Sequence, residues 1–181
     1  MSKPSLLLIG LGNPGKEYTK TRHNAGFLAV EALAKECGAP AFEDKQKFLC
    51  VMTEVEIEGK TVLIVKPTTF MNRSGECARK LVDFYKLDPT SQILVCVDDV
   101  DIPLGTCRVR VSGGPGTHNG MKSLVDTFGE NFPRFRIGIG PQPAEQDLAV
   151  WVLSRMTKEE VNSIEKPLSK LLETVRKSLQ P

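Results

Sequence analysis

The chain of 181 residues has only two histidines, one tryptophan and no long hydrophobic run. The apolar stretch nearest the N-terminus, Leu6 to Ile9, is too short for a signal-peptide core or a membrane span, and no cleavage site follows it. We therefore expect a cytoplasmic protein without a membrane partner. A content of 40% hydrophobic and 25% charged residues is typical of a soluble globular domain and unlike a fibre or a disordered tail.

The five cysteines are odd in number and form no CxxC pair, which argues against a disulfide framework or a zinc site. Each lies in a predicted helix or strand, so we expect buried, reduced thiols. The two histidines are far apart and lack a third metal-ligating partner, and no GxSxG elbow or reactive cysteine setting is present. We therefore predict no metal, no cofactor and no covalent nucleophile. Direct attack by water is the chemistry that remains.

Charge is distributed unevenly along the chain, although the net charge is only +2. The stretch from Ile102 to Gly140 has a local charge of +3 and contains four arginines. Such a stretch is either a solvated face or a surface for an anionic partner. Its basic residues are Arg108, Arg110, Lys122, Arg134 and Arg136.

Strand and helix patterns alternate, which predicts an α/β fold. We expect a single domain over residues 1–181, a mixed β-sheet flanked by helices in a phosphorylase/hydrolase-like three-layer architecture. The predicted strands are Leu6 to Ile9, Lys47 to Ile57, Thr61 to Lys66, Gln92 to Val97, Arg108 to Val111 and Phe135 to Ile139. The predicted helices run from Phe27 to Cys37, Ser74 to Lys86, Asn119 to Phe128 and Thr157 to Leu179. The segment from Pro141 to Ala149 is either a linker or a mobile lid.

The first strand leads into Gly10, Gly12 and Gly15 at GxGxxG spacing. A dinucleotide site needs a helix that starts inside this loop and an acidic residue about 20 positions later, at the end of a second strand. Neither feature is present, so a nucleotide-dependent oxidoreductase is disfavoured. We expect the glycines instead to let the backbone turn sharply and present Asn13 and Tyr18 at the carboxyl edge of the sheet.

The histidines occur in similar loops, His23 in "TRHNAG" and His118 in "GTHNG". Asp98, Asp99 and Asp101 follow a predicted central strand, where at least one of them serves only to hydrogen-bond nearby backbone. The ends of parallel strands meet at one sheet edge, so we expect His23 to contact Asp98. Asp98 would accept a hydrogen bond from one ring nitrogen and leave the other to take a proton from water.

Two further loops combine apolar and amide side chains. In "KPTTFMNRSGE", Phe70 and Met71 are either core residues or an apolar wall, and Asn72 is either a helix N-cap or a neutral donor to an anionic intermediate. "SGGPGTHNG" offers backbone N–H groups and Asn119 to a phosphate or carbonyl, without the Gly-Lys-Ser/Thr ending of a P-loop. Alternation places Arg108 and Arg110 on one strand face, where together with Arg136 they are suited to bind phosphate. 

Six motifs together resemble the bacterial-type peptidyl-tRNA hydrolase family, over about Leu6 to Leu153. They are "GLGNPGKEY", "TRHNAGF", "KPTTFMNRSG", "DDVDIPLG", "GGPGTHNG" and "FRIGIG". The resemblance implies that His23 is the general base, that Asp98 stabilises its working form and that Asn13 recognises a blocked peptidyl nitrogen. It implies substrate-binding roles at Tyr18, Phe70, Met71, Asn72 and Asn119, and a clamp on the acceptor-end phosphate of tRNA at Arg110 and Arg136.

The activity implied by the resemblance is hydrolysis of the ester between a peptide, or an N-blocked amino acid, and the 3′ ribose of tRNA. Such an enzyme recycles peptidyl-tRNA released from ribosomes, and the resemblance also implies a cytoplasmic monomer. The alternative is a non-catalytic RNA-binding relative of the same fold, which need not retain His23 and Asp98. The sequence departs from the family pattern at Asp99, where Glu is usual, and at Arg110, where many members have Lys.

Overall fold

The computed structural model describes residues 3–180, and these contain one seven-stranded mixed sheet with helices on both faces. The strands are β1 (Leu6–Gly10), β2 (Glu43–Lys45), β3 (Cys50–Ile57), β4 (Lys60–Pro67), β5 (Ile93–Asp99), β6 (Cys107–Arg110) and β7 (Arg134–Gly138). The helices are α1 (Ala25–Glu36), α2 (Ser74–Tyr85), α3 (Asn119–Phe128), α4 (Leu148–Leu153), α5 (Lys158–Glu165) and α6 (Leu168–Ser178). The α/β class and the three-layer architecture are confirmed.

The sheet order is β2-β3-β4-β1-β5-β7-β6. The four strands at its centre, β4, β1, β5 and β7, run parallel, whereas β3 pairs antiparallel with β4 and β6 with β7. Every residue of β1 is buried, as expected for a continuous apolar strand covered on both faces. The loops that follow the central strands therefore meet at one carboxyl edge, where open α/β sheets bind ligands.

Two hydrophobic layers cover the sheet. Helices α1, α5 and α6 pack on one face through buried side chains such as Leu33 and Val175. Helices α2 and α3 cover the other face through residues such as Leu81 and Leu124. Burying one leucine or valine of this kind stabilises the fold by about 1.5 to 3 kcal/mol.

Gly26, in the first turn of α1, lies against the middle of β5 and against Leu11, the residue that follows β1. A Cβ atom there would lie 2.4 Å from the carbonyl oxygen of Cys96 and 2.5 Å from that of Leu11, so only glycine permits this approach. Helix α1 begins at Ala25 rather than inside the glycine loop. The loop therefore lacks the helix start that a pyrophosphate-binding turn requires.

The predicted hairpin forms between β3 and β4, with Glu58 and Gly59 at φ values of 53° and 72° in its turn. Its first strand begins at Cys50, because residues 46–48 form a 3-10 turn. No helix within residues 3–180 is long and apolar enough to cross a membrane. All five cysteines are free thiols, but Cys37 and Cys107 are half-buried rather than buried.

The prediction of one C-terminal helix from Thr157 to Leu179 is wrong. Helix α5 ends at Glu165, and α6 starts after Pro167. Proline has no backbone N–H to donate and its ring crowds the preceding turn, which breaks the helix. The segment from Pro141 to Ala149 leads into the short helix α4, which was not predicted and which Asp147 caps by accepting backbone N–H bonds.

Candidate active site

A cleft of about 780 Å³ opens at the carboxyl edge of the sheet. The loops after β1, β4 and β5, the glycine-rich loop before α3, and α4 form its walls. Nine predicted site residues line it: Asn13, His23, Phe70, Met71, Asn72, Asp98, Arg110, Asn119 and Arg136. Tyr18 is not among the lining residues and packs edge-on against Phe70, with ring centroids 6.5 Å apart.

His23 and Asp98 are in direct contact, as predicted. Nδ1 of His23 lies 3.0 Å from Oδ2 and 3.2 Å from Oδ1 of the carboxylate. Asp98 is at the end of β5 and only 5% exposed, and His23 is in the 3-10 turn that precedes α1 and is 8% exposed. Because an ionised carboxylate only accepts hydrogen bonds, Nδ1 carries the proton and Nε2 is left as the basic nitrogen.

His118 is a second partner of Asp98 that the sequence analysis did not assign. Its Nε2 lies 2.9 Å from Oδ1 of Asp98, and its Nδ1 accepts backbone N–H groups of Gly120 and Met121 at 3.1 and 3.2 Å. The ring therefore caps α3, and its partners assign the neutral form protonated at Nε2. The matching "HN" pairs in the two loops were the one sequence signal for this role.

His23 and Asp98 shift each other's pKa, and His118 also acts on the pKa of Asp98. Burial alone would lower the pKa of His23, but the charge of Asp98 and its hydrogen bond outweigh burial and raise that pKa above the ordinary value of 6.5. Burial alone would raise the pKa of Asp98, but His118 and His23 hold it well below its usual range. Asp98 is therefore an anion at neutral pH and favours a protonated His23.

Asparagine side chains fix the loop that follows β1. Asn24, next to His23, accepts from the backbone N–H of Asn13 at 2.9 Å and donates to its carbonyl at 3.0 Å. The backbone N–H of Met71 donates to Oδ1 of Asn13 at 2.8 Å. That bond orients the Asn13 amide and leaves its NH₂ group as a donor at the cleft, which Asn13 lines. Asn24 is a further residue that the sequence analysis left without a role.

Asn72 is not a helix N-cap. It lies in a 3-10 turn from Met71 to Arg73, and α2 begins after Arg73 without a side-chain cap. Asn72 is exposed at the cleft, as is Asn119 at the first position of α3. Met71 is buried whereas Phe70 is 57% exposed, so the first is part of the core and the second is an apolar surface at the cleft. 

Four arginines share one face of the edge strands. Arg108 lies opposite Arg136 and Arg110 opposite Arg134 in the pairing of β6 with β7. Arg136 forms an ion pair with Asp99, which also accepts the backbone N–H of Asp101. Arg110 and Arg136 line the cleft, whereas Arg108 is not among its lining residues.

Arg134 is buried and organises the glycine-rich loop. Its guanidinium donates to the carbonyls of Gly113, Gly114, Glu130 and Phe132. Burial lowers its pKa, Glu130 opposes that shift, and the charges of Arg136 and Arg110 add to it. The neighbouring charges of Arg136 and Arg110 make this side of the cleft positive, which suits an anionic ligand.

Within residues 3–180, only one cluster contains three side chains that could bind a metal ion together. It consists of His23, Asp98 and His118, whose ligand atoms lie within 4.8 Å of one another. Both ring nitrogens of His118 and Nδ1 of His23 already form hydrogen bonds. A cation would have to displace these bonds. The three side chains therefore form a hydrogen-bonded cluster in the wall of the cleft, which all three of them line.

Comparison with known proteins identifies the family. A family model described as peptidyl-tRNA hydrolase matches residues 7–181. The peptidyl-tRNA hydrolase of Alkaliphilus oremlandii is 48% identical over 175 residues, covering 96% of this chain and 89% of the relative. That of Synechocystis is 43% identical over 176 residues, covering 96% and 89%. The crystal structure of the Acinetobacter baumannii enzyme superposes with a TM-score of 0.88 at 36% identity, covering 99% of this chain and 91% of that one. The chain belongs to the peptidyl-tRNA hydrolase family.

Proposed function

We propose that this protein hydrolyses the ester bond between a peptide, or an N-blocked amino acid, and the 3′ ribose of tRNA, and thereby recycles peptidyl-tRNA released from ribosomes. Family membership supports the substrate class. The observation that carries the proposal is the contact of His23 with buried Asp98, at 3.0 Å, in a cleft that arginines border. A relative that only binds RNA has no need of such a base.

His23 acts as the general base. Asp98 accepts the Nδ1 proton, so Nε2 takes a proton from the water that attacks the ester carbonyl. The imidazolium that forms is stabilised by the Asp98 carboxylate, and its proton then serves the departing ribose oxygen. His118 keeps Asp98 in place through its own hydrogen bond.

Amide groups stabilise the negative charge that develops on the ester carbonyl oxygen during attack by water. The NH₂ group of Asn13 and the side chains of Asn72 and Asn119 are neutral donors, so they stabilise an oxyanion without changing the charge of the base. Asn13 also recognises the acylated nitrogen that distinguishes a peptidyl group from a free amino acid. Phe70 provides the apolar contact at this end of the cleft, and Tyr18 supports it by packing against its ring.

The tRNA binds along the arginine side of the cleft. Arg110 and Arg136 contact the acceptor-end phosphate, for which guanidinium groups are suited because they form paired hydrogen bonds. Arg136 is already held by Asp99, so an incoming phosphate competes with a carboxylate there. The 3′ adenosine then reaches Asn119 and the amide groups near His23.

The test is to incubate the purified protein with N-acetyl-aminoacyl-tRNA, without added metal, and follow release of the blocked amino acid. We expect turnover with the wild type and a loss of about 10² to 10⁴-fold with His23→Ala, the usual contribution of a general base. Tight binding of tRNA without release would instead support the RNA-binding alternative. Near-wild-type turnover by His23→Ala would remove His23 from the role of base.

A further inference from the structure

Helix α4 forms one wall of the cleft but none of its residues is buried. Leu148, Ala149, Val152 and Leu153 line the cleft. The helix packs chiefly against the 3-10 turn from Arg22 to Asn24, the turn that carries His23. The position of this wall therefore depends on the contacts between α4 and that turn.

Arg22 makes the side-chain contacts that connect the turn to α4. The Cζ atom of its guanidinium lies 3.7 Å from the centroid of the Trp151 ring, in the middle of α4. The same group donates to Oγ of Ser154 at 2.9 Å and to the carbonyl of Arg155 at 3.2 Å, and it forms an ion pair with Glu160. Arg22 is only 5% exposed, so it lies behind the wall.

Backbone hydrogen bonds also connect the segment around Arg22 to the residues that follow α4. Its N–H donates to the carbonyl of Ser154 at 3.2 Å, and the N–H of Met156 donates to the carbonyl of Lys20 at 2.8 Å. Glu160 has a second contact, because its other carboxylate oxygen accepts the backbone N–H of Thr157 and so caps α5. One guanidinium therefore connects α4 and α5 to the turn of the proposed base.

We propose that Arg22 and Trp151 are positioning residues for the hydrolysis proposed above, on which this inference rests: their stacked contact fixes α4 at a set distance from His23. The alignment of His23 itself comes from Asp98, and the adjacent Asn24 holds the turn to Asn13. Loss of the stacked contact therefore loosens the wall that substrate touches before it disturbs the base.

Arg22→Lys tests this. Lysine keeps the charge for Glu160 but lacks the flat face that lies on Trp151 and the fork that reaches two acceptors. We expect KM for N-acetyl-aminoacyl-tRNA to rise about three- to tenfold, the scale of one lost guanidinium–aromatic contact, with kcat changed less than about twofold. The acid limb of the pH–rate profile should stay in place, because the His23–Asp98 contact is retained.

Trp151 gives a second readout, since it is the only tryptophan of the chain. Quenching of its fluorescence by acrylamide needs no substrate and reports how tightly α4 is held. We expect a larger quenching constant in Arg22→Lys than in the wild type. The matched control is Arg176→Lys on α6. It alters an exposed ion pair with Glu58, which lies in the turn between β3 and β4, and should change neither KM nor quenching.

Trp151→Leu approaches the same contact from α4 and covers the case in which Arg22→Lys does not fold. It should raise KM by a similar factor, and the double variant should be no worse than either single one. An unchanged KM in both variants overturns the proposal, whatever the quenching. So does a fall of kcat in step with the folded fraction at constant KM, which marks a purely structural role. Absence of hydrolysis by the wild type rejects the proposed function itself. Unchanged quenching in Arg22→Lys is a separate result, because it concerns how tightly α4 is held and needs no substrate.

Discussion

The two sides of the cleft differ in how completely their polar groups are satisfied. On the base side, the largely buried side chains of His23 and His118 are both hydrogen-bonded to buried Asp98. On the arginine side, Arg110 is exposed and Arg136 has Asp99 as its ion-pair partner. The base side is therefore already organised in the free protein, whereas in the proposed complex the arginine side would gain its phosphate contacts only when tRNA binds. Variants on the two sides should differ in kind: the first in turnover, the second in affinity.

The largest effect in this comparison is expected for Asp98→Asn. A carboxylate accepts from both histidines, but an amide has one acceptor oxygen and must turn its NH₂ group toward one of the two ring N–H groups. We expect kcat to fall by about 10² to 10⁴-fold, because the proton of His23 is no longer held on Nδ1. Single-turnover kinetics measure this, with exposed Asp126→Asn on α3 as the control. A kcat near the wild-type value would make Asp98 a structural residue.

A smaller loss of turnover is expected at His118, where two variants separate its two contacts. His118→Asn keeps a side chain that can cap α3 but is too short to bond Asp98, whereas His118→Ala loses both. We expect kcat to fall about tenfold in both, by loss of one hydrogen bond to a charged group. Thermal unfolding should show a further loss of about 1 kcal/mol in His118→Ala alone. Equal turnover in His118→Asn and the wild type would contradict a role in holding Asp98.

On the arginine side, Arg110→Ala and Arg136→Ala should raise KM severalfold with little change in kcat. Each removes one phosphate contact, so the slope of log affinity against log salt should become shallower by about one unit for each variant. Binding of tRNA measured from low to high salt gives this slope. Arg108→Ala is the matched control, because Arg108 is on the same strand but is not among the cleft-lining residues. An unchanged slope in both variants would show that Arg110 and Arg136 are not the residues that contact the phosphate.

The smallest effect separates the two sides by their response to pH and salt. The base must be neutral to act, and Asp98 raises the pKa of His23, so kcat/KM should decline as pH falls through a midpoint above 6.5. Because the pair is buried, raising the salt concentration should leave that midpoint nearly in place while KM rises. A midpoint below 6.5 would indicate that Asp98 does not act on His23 as described.

The contact of His23 with Asp98 was predictable because parallel strands deliver their carboxyl ends to one edge. A continuous apolar strand followed by aspartate, and a loop that returns from the neighbouring strand, were enough to bring the two residues together. The bounds of α3 were also predictable, since apolar spacing and a preceding loop define both ends.

Other features depend on tertiary contacts that periodicity does not encode. The bond from His118 to Asp98 needs the glycine-rich loop in one conformation, and buried Arg134 holds that loop through the carbonyls of Gly113 and Gly114. Helix α4 has too few residues to give a periodic signal and is held by Arg22 rather than by its own apolar face. The interruption at Pro167 was readable from the residue type, but the apolar spacing on either side concealed it.

Gly26 has a consequence for anyone who wishes to transplant this chemistry into a new scaffold. The helix turn that follows the imidazole approaches the strand that carries the carboxylate with main chain against main chain, at the carbonyls of Cys96 and Leu11. Copying the reactive side chains alone would leave that approach undefined. A working graft has to include the bare helix turn together with β5 and the residue that follows β1, on which the turn sits.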